Sequence, residues 1–265
     1  KRRGLDLYGR STKPLKDSLK YTTDPHLEGI SNDEMGAVQF VKSQGVEIRK
    51  NGDFRTLSDL TPEEEKKLIN GLIKTGRPVQ PLLNDIYTLE NGYEIGEFST
   101  VINACGRLGR AKDGVKILVE QDLDLAKTVS RAYGRKISES LRFVENNRDN
   151  EEYIYEDEIG VIDAEDNIQD DFIGTVTTIS MSNGFFESNV VMGAAHSGKD
   201  EIKVSSRATK ELVEEGLNLG EIIGEICEEL DGEGGGHNVA AGAKIPRENK
   251  DEFIDMLKER IGEEA

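Results

Sequence analysis

"LDGEGGGHNVAAGAKIP", residues 230–246, contains three consecutive glycines, Gly234, Gly235 and Gly236, followed by His237 and a run of small residues. Each glycine costs roughly 1 kcal/mol on folding relative to alanine. A plain connection between a helix and a strand needs one or two glycines, so three favour close approach of the backbone to a ligand. The N–H groups of such a segment can surround an anion, as a nest or at a helix start. His237 adds a hydrogen-bond donor that can carry charge near neutral pH.

The sequence on either side of this stretch predicts an α/β domain that begins at about residue 151. Before the glycines, an apolar stripe from Leu219 to Leu230 predicts an amphipathic helix that stops at Asp231 and Gly232. Further upstream, residues 187–195 and 201–207 predict two strands joined by the turn HSGKD. The other predicted elements of this domain are strands in EYIYE and IGVIDA, a helix in FIGTVTTISMS, a strand at 243–245 and a final helix over 248–261.

The first half of the chain predicts mainly helices. Thr61, Pro62 and Glu64 form a helix start, with an N-cap threonine and a glutamate three residues on, and this helix runs to about residue 75. The other helices are predicted over 33–44, in EFSTVINACGRLGR and over 122–146. The polar segment ENNRDNEE, which follows the last of them, predicts the boundary between two domains.

Composition and charge restrict the class of protein. The chain has 265 residues, 35% of them hydrophobic and 32% charged, and its formal net charge is −18. These values predict a soluble, globular protein and argue against a general nucleic-acid coat protein. Residues 1–20, with seven basic and two acidic side chains, are an exception that suits a local contact with a polyanion. The two cysteines form no metal-type pair and no apolar run reaches the length of a membrane span, so we expect a cytoplasmic protein without membrane contact.

Two further segments carry residues suited to phosphate. In EIKVSSRAT, alternation along a strand places Lys203, Ser205 and Arg207 on one face. A hydroxyl beside a guanidinium suits one phosphate, and the alternative is an ordinary solvent-facing strand. In NACGRLGRAKDG, residues 103–114, small residues allow close approach of a helix, and basic residues from Arg107 onward bring positive charge. A basic helix end also serves as plain capping.

Together these segments resemble one family, the DHH phosphoesterase superfamily. GGGHNVAAGA resembles the glycine–histidine signature of the DHH-associated domain, which is the substrate-binding half of these enzymes, and VSSR resembles its serine–x–arginine strand. NACGR resembles the segment that closes the preceding catalytic domain in RecJ-type exonucleases. RRGLDLYGRSTKPL, YTTDP and GIS resemble the archaeal RecJ-like branch, so the resemblance covers essentially the whole chain.

The resemblance implies an α/β fold with three parts. They are the C-terminal portion of a parallel α/β DHH domain, a long linker helix and a smaller mixed-sheet α/β DHH-associated domain. The corresponding ranges are 1–121 for the end of the DHH catalytic domain, 122–150 for the linker helix and 151–265 for the DHH-associated, substrate-binding domain.

One departure from the family concerns the metal site. The family is named for an Asp-His-His motif that supplies metal ligands together with further aspartates, and this chain contains no such motif. Of its three scattered histidines, His26 and His196 lie in turn-like segments and are interpreted as solvated loop residues. The resemblance therefore implies that Mn²⁺ or Mg²⁺ is bound by a preceding N-terminal part of the protein, and no residue of this chain is assigned as a metal ligand.

The resemblance also implies roles for particular residues. The implied activity is metal-dependent, single-strand-specific exonuclease cleavage of single-stranded DNA or RNA, with little readout of bases. His237 would act in catalysis, and Asn103 and Arg107 would contact the neighbouring nucleic-acid backbone. The residues that would hold a substrate phosphate are Gly234, Gly235, Gly236, Ser205 and Arg207.

Three alternatives stay open. A small-substrate phosphodiesterase of the same superfamily would cleave short oligonucleotides or cyclic dinucleotides, although NACGR and GLDLYGR argue against it. A non-catalytic scaffold would bind other proteins of a replication complex, although a scaffold has no need of the GGGH and SxR motifs. RNA binding, as by the related domain of alanyl-tRNA synthetases, does not fit the N-terminal half.

Overall fold

The computed structural model describes residues 1–22, 25–76, 79–89 and 94–264. The chain divides into two compact units, Lys1–Val129 and Ser130–Ala265, and the division falls within one helix of 24 residues. Of the motif YTTDP, Thr23 and Asp24 lie outside the described residues. No helix in the described ranges combines the length and the apolar character that crossing a membrane requires.

The first unit consists mainly of helices, as the sequence predicts. Short 3-10 turns lie at Leu57–Asp59 and Gln80–Leu82. In chain order, the other elements are β1 (Arg2–Leu5), α1 (Leu15–Lys20), α2 (Glu34–Ser43), β2 (Arg49–Lys50), β3 (Asp53–Phe54), α3 (Pro62–Lys74), β4 (Leu83–Ile86), α4 (Ile95–Arg107), α5 (Ala111–Glu120) and the dividing helix α6 (Leu123–Asn146).

The start of α3 confirms the predicted cap. Thr61 Oγ1 accepts a hydrogen bond from the backbone N–H of Glu64 at 3.2 Å, and Glu64 Oε2 accepts one from the N–H of Thr61 at 2.9 Å. The guanidinium of Arg55 donates to both oxygens of the same carboxylate, at 2.8 and 2.6 Å. These hydrogen bonds from Arg55 are the main reason that the pKa of Glu64 falls to about 2.

Two features of this unit differ from expectation. Its described strands pair antiparallel, β1 with β4 and β2 with β3, where the resemblance implied the end of a parallel sheet. The segment EFSTVINACGRLGR was predicted as one helix, but α4 ends within it, at Arg107. Gly109 adopts a left-handed conformation with φ +66°, and α5 begins after it. Gly114 of α5 packs on α4, since a Cβ there would lie 3.2 Å from Cys105 Cβ.

The second unit is built on a mixed six-stranded sheet. The strand order is β5-β6-β7-β8-β10-β9, where β6 and β7 are parallel and the other neighbours antiparallel. The predicted mixed-sheet α/β class is therefore confirmed, as is the helix in FIGTVTTISMS. Its elements are β5 (Ile154–Glu156), β6 (Gly160–Asp163), α7 (Asp170–Ser182), β7 (Val190–Ser197), β8 (Glu201–Ala208), α8 (Lys210–Glu214), α9 (Leu219–Glu229), β9 (Glu233–His237), β10 (Ala240–Pro246), a 3-10 turn (Arg247–Asn249) and α10 (Lys250–Glu264).

Helices cover the two faces of this sheet unequally. The apolar core lies on one face, where Ile223 of α9 and Phe253 of α10 are fully buried in the same cluster as Val204 and Ala243 of the strands. On the other face, α7 packs against β7 and β8. On the face that α7 packs against, the residues of β10 and β9 are exposed or half-buried.

Candidate phosphate-binding site

Strand β8 places Ser205 and Arg207 on one face of the sheet, as the alternation in EIKVSSRAT predicts. Val204, between Lys203 and Ser205, points to the opposite face and belongs to the apolar core. Nη1 of Arg207 donates to Ser205 Oγ at 3.1 Å and to the carbonyl oxygen of Ser206 at 2.7 Å. The prediction that the hydroxyl and the guanidinium lie together is confirmed.

Helix α7 holds the same guanidinium from the other side. Nε of Arg207 donates to Thr178 Oγ1 at 2.9 Å, and Nη2 donates to the carbonyl oxygen of Gly174 at 3.4 Å. Gly174 is required there, because a Cβ would lie 2.9 Å from Ser205 Oγ. Arg207 is therefore half-buried between a helix and a strand, and hydrogen bonds from both elements fix its orientation. Thr178 is a site residue that sequence reasoning missed, since no local pattern links it to β8.

The strand register places His237 on the same face as Arg207. Ala240 on β10 pairs directly with Arg207 on β8 and also with His237 on β9. Directly opposed residues of antiparallel strands project to the same side of a sheet. Since neighbouring strands lie about 4.8 Å apart, the backbones of Arg207 and His237 are about 10 Å apart, with the methyl group of Ala240 between them.

A second row of positions widens this opening. Gly242 on β10 pairs with Ser205 on β8 and with Gly235 on β9. Rows two residues apart share a face, so both glycines lie beside Ala240. Together the three residues form a small-residue floor between the guanidinium of β8 and the imidazole of β9. A floor without large side chains, next to a fixed guanidinium, leaves space for a phosphate group.

A third row on the same face carries two lysines. Lys244 on β10 pairs directly with Lys203 on β8. Lys203 Nζ lies 3.5 Å from a carboxylate oxygen of Asp171, and Lys244 Nζ lies 3.7 Å from one of Glu201. Sequence reasoning placed Lys203 with Arg207 but missed Lys244, although the alternation within AAGAKIP carries the signal. Glu233 on β9 completes this row, so the lysines lie among carboxylates and the row alternates in charge.

The glycine run forms the edge strand β9, an element that the sequence patterns do not predict. It pairs with β10 from Glu233 to His237, and this pairing outweighs the low strand preference of glycine. Helix α9 packs closely on the strand, because a Cβ on Gly234 would lie 2.3 Å from Cys227 Sγ. Gly235 and Gly236 have φ of +140° and +156°, which favours glycine at both positions. Only Gly235 of the three contributes to the floor.

His237 is the last residue of β9, at a two-residue turn to β10. Its side chain is exposed, and its position at the border of the floor lets a ligand reach the imidazole. The backbone N–H of Leu219 donates to the carbonyl oxygen of Asn238 at 3.2 Å, which ties this turn to the first residue of α9. The structure therefore presents His237 from a turn anchored by a helix.

The other two histidines lie elsewhere. His26 is exposed in a turn, as expected. His196 is not a solvated loop residue: it belongs to β7, its side chain is 14% exposed, and its Nδ1 lies 3.1 Å from a carboxylate oxygen of Asp166. The length of β7, which continues to Ser197, explains why the turn-like segment AAHSG was misjudged.

Asn103 and Arg107 belong to the first unit. They lie one turn apart on α4 and both are exposed, so they share one side of that helix. The small residues between them, Ala104 and Cys105, are buried and make room for α5 rather than for a ligand. Their grouping with the sheet face of the second unit stays a proposal.

The described ranges contain no group of three or more His, Cys, Asp or Glu side chains placed to hold a metal ion. The side chains in these ranges therefore do not fit a resident Mn²⁺ or Mg²⁺. Cys227 behaves as a packing residue beneath β9, and burial raises the pKa of its thiol.

Two family models match this chain. A DHH-CID domain matches residues 7–80, within the first unit, and a DHHA1 domain matches residues 164–263, within the second. The DHHA1 match includes all the strands from β7 to β10, and with them the whole face described above.

Known proteins resemble the chain over much of its length. The Methanocaldococcus jannaschii protein named Uncharacterized protein MJ0831 is 27% identical over 250 residues, 93% of this chain and 52% of that protein, so the chain spans about half the length of the curated relative it matches. CDC45 from Entamoeba histolytica has a similar structure, with a TM-score of 0.52 and 11% identity over 98% of this chain and 57% of that chain. RecJ from Thermus thermophilus in complex with Mg²⁺ gives a TM-score of 0.48 and 17% identity over 65% of this chain and 25% of that chain.

The two domain matches together cover well over half of the residues, and the DHHA1 match includes both VSSR and GGGHNVAAGA. The fold of the second unit, a mixed sheet with helices on both faces, agrees with them. The chain therefore belongs to the DHH phosphoesterase superfamily.

Proposed function

We propose that this chain is the nucleic-acid-binding part of a metal-dependent nuclease, a RecJ-like exonuclease that hydrolyses phosphodiester bonds in single-stranded DNA or RNA. The observation that carries the proposal is the placement of Ser205, Arg207 and His237 around the small-residue floor. Superfamily membership supplies the reaction class, and the sheet face supplies groups suited to a phosphate.

Each group on the face has a definite part in the proposal. Arg207 places its positive charge beside the phosphate oxygens, and Ser205 adds a hydroxyl beside it. Because α7 and β8 already fix the guanidinium, binding costs little additional ordering. His237 donates from the opposite border, where charge grows as the phosphodiester reacts. Lys203 and Lys244 suit a neighbouring phosphate. Because all these groups suit phosphate oxygens rather than base edges, we expect little sequence preference.

The proposal assigns metal chemistry to residues other than those that the structure describes. A bound Mn²⁺ or Mg²⁺ supplies an activated water and stabilises negative charge on the phosphate. Because the described residues do not fit such a site, we propose that residues outside this chain hold the metals. The chain itself would bind and orient the strand, with Asn103 and Arg107 of α4 on its neighbouring backbone.

The test compares two arginines of the second unit. Arg207→Ala should lower the affinity for a fluorescently labelled oligothymidylate by about tenfold or more, because it removes the positive charge beside the phosphate. It should also lower the slope of log affinity against log salt concentration by about 0.7, the value for one phosphate of a single strand. Fluorescence anisotropy over a salt series measures both quantities.

Arg260→Ala is the matched control. It removes the same charge from α10, where Arg260 pairs with Glu225 and Glu229 at 2.6 and 2.7 Å, and it should leave the affinity unchanged. Arg207→Ala also loses the hydrogen bonds to α7, so thermal unfolding must show that the variant is folded. The affinity of Arg207→Lys, which keeps the charge, is measured in the same titration. Equal losses in Arg207→Ala and Arg260→Ala would show that only net charge matters and that the face is not the site.

The second candidate function is a non-catalytic scaffold in a replication complex. The observation that favours it is the fold likeness to CDC45, which extends over 98% of this chain. A scaffold needs no phosphate site, so under this alternative wild-type chain and Arg207→Ala should bind an oligonucleotide equally weakly. The same titration therefore separates the two functions.

A further inference from the structure

The first unit has an exposed row of aromatic rings with cations over them. The side chains of Tyr8, Tyr21 and Phe54 are 53%, 48% and 40% exposed, although rings of this size are usually buried. The cations beside the rings come from the turn before α1, from α1 and from β2. We call this set of residues the aromatic–basic surface, and its members are Tyr8, Lys13, Lys16, Lys20, Tyr21, Arg49 and Phe54.

Lys13 links the first two rings into one patch. Its Nζ lies 5.3 Å from the ring centre of Tyr8 and 5.8 Å from that of Tyr21, and Lys20 Nζ lies 5.2 Å from the Tyr21 ring on another side. Gly9 makes this arrangement possible, because a Cβ there would lie 2.5 Å from the stem of Lys13. The backbone N–H of Lys13 also donates to the carbonyl oxygen of Gly9 at 2.7 Å, so the turn is fixed.

Phe54 extends the patch along α1. Lys16 Nζ lies 5.4 Å from the Phe54 ring centre, and Arg49 Cζ lies 3.8 Å from it, since Arg49 and Phe54 are directly paired in the β2–β3 hairpin. The N–H of Leu15, the first residue of α1, donates to the carbonyl oxygen of Arg55 at 2.8 Å, which holds the helix beside this hairpin. Lys16 and Lys20 lie one turn apart on α1, so the Phe54 ring and the Tyr21 ring border neighbouring positions of the same helix.

The charge of this surface is positive in a chain whose net charge is −18. Lys16 is neutralised locally, since it bonds to Glu34 at 2.5 Å and to Asp17 at 3.1 Å. Lys13, Lys20 and Arg49 form no ion pair with any residue in the described ranges. Three cations therefore stay available between the rings for a negatively charged partner.

The geometry points to the aromatic–basic surface as a second binding surface for single-stranded nucleic acid, on which bases stack on Tyr8, Tyr21 and Phe54 while the cations contact phosphates. Alternating rings and cations fit a polymer whose bases alternate with phosphates, and every base has a face that can stack. A purely acidic peptide would need only the cations and would leave the exposed rings unexplained. The inference rests on the proposed function for the class of ligand and adds a site in the other unit.

A tryptophan reporter tests stacking directly. The chain contains no tryptophan, so Phe54→Trp gives a single indole on the surface. Oligothymidylate should quench its emission on binding, and poly-glutamate of equal charge should not. No quenching at saturating oligonucleotide, or equal quenching by poly-glutamate, overturns the proposal; the second result assigns the surface to an acidic protein partner.

Substitutions give the matching affinities. Tyr21→Ala should weaken binding of the oligonucleotide by about tenfold, whereas Tyr21→Phe, which keeps the ring, should bind as wild type. The double variant Lys13→Ala/Lys20→Ala should lower the salt slope by about 0.7 for each lysine. Lys66→Ala/Lys67→Ala removes the same charge from exposed positions of α3 and should leave the slope unchanged.

Comparison with the sheet face separates this inference from the proposed function. If Arg207→Ala loses affinity while the variants of the aromatic–basic surface bind as wild type, this inference fails and the proposed function stands. If the surface variants lose affinity while Arg207→Ala does not, the second surface stands and the phosphate site on the sheet fails. Circular dichroism and thermal unfolding confirm that each variant is folded.

Discussion

Arg207 combines contacts that hold two elements together with the phosphate-binding role that we propose for it. Its guanidinium carries five N–H donors in a rigid plane, and the structure directs some of them to Thr178 and Gly174 of α7 and others to Ser205 and Ser206 of β8. A guanidinium held in this way keeps its orientation without a ligand. Replacing it therefore affects helix packing as well as phosphate affinity, which is why its test includes a variant that keeps the charge.

His237 belongs to the same face, and the role that we propose for it is catalytic. In the protein that supplies both this chain and the metal-binding residues, His237→Ala should lower turnover by about a hundredfold, or about 3 kcal/mol. A donor beside the phosphate contributes most when charge develops in the transition state, so the affinity for the strand should change less than the rate. Single-turnover cleavage and a separate binding titration measure the two quantities.

The control for this histidine lies in the same turn. Val239 is 36% exposed, and Val239→Ala should cleave like the wild type because it removes no donor. If His237→Ala also cleaves at the wild-type rate while remaining folded, the histidine only closes the hairpin and has no catalytic part.

At the scale of elements, β9 and α9 depend on each other. Gly234→Ala should destabilise the chain by about 1–3 kcal/mol, because its Cβ would lie 2.3 Å from Cys227 Sγ and 3.1 Å from Ile223 Cγ2. Cys227→Ala removes the nearest atom, so the double variant should be more stable than the sum of the single effects by about 0.5 kcal/mol or more. Urea unfolding of the four proteins of this cycle measures the coupling.

Gly224, on the same helix, is the matched control. A Cβ there meets nothing within 4 Å, so Gly224→Ala should stabilise the chain by about 0.5–1 kcal/mol through the restricted unfolded state. Destabilisation of both glycine variants by the same amount would mean that glycine is needed in this region for reasons other than close packing.

Sequence patterns predicted the elements that have strong local signals. The cap at Thr61 and Glu64, the stripe of α9 and the alternation that pairs Ser205 with Arg207 are all confirmed, since each depends on residues a few positions apart. β9 was missed because its pairing with β10 decides its conformation and glycine has no strand preference of its own. The alignment of His237 with Arg207 depends on register across three strands, and the contact of Thr178 with Arg207 depends on how α7 packs. Neither can be derived from local spacing.

At the scale of the whole molecule, the proposed function assigns strand binding to this chain and metal chemistry to residues outside it. We expect the purified 265-residue chain to bind single-stranded oligonucleotides but not to hydrolyse them, with or without Mn²⁺. The reason is that the described residues include the groups that we propose bind phosphate, whereas they hold no cluster of three or more metal ligands. Incubation with end-labelled DNA and RNA, followed by gel analysis, measures cleavage. Metal-dependent hydrolysis above a buffer control would place the catalytic centre within this chain.

The position of β9 at the end of the sheet has a consequence for handling and redesigning this protein. An edge strand can template a strand from another molecule, which leads to aggregation. The positive φ values of Gly235 and Gly236 depart from regular extended geometry, so the glycine run makes a poor template. A redesign that replaced the glycines with valine and isoleucine to strengthen the strand would create a flatter, more hydrophobic edge that favours aggregation. We therefore expect the glycine run to disfavour edge-to-edge association of this protein.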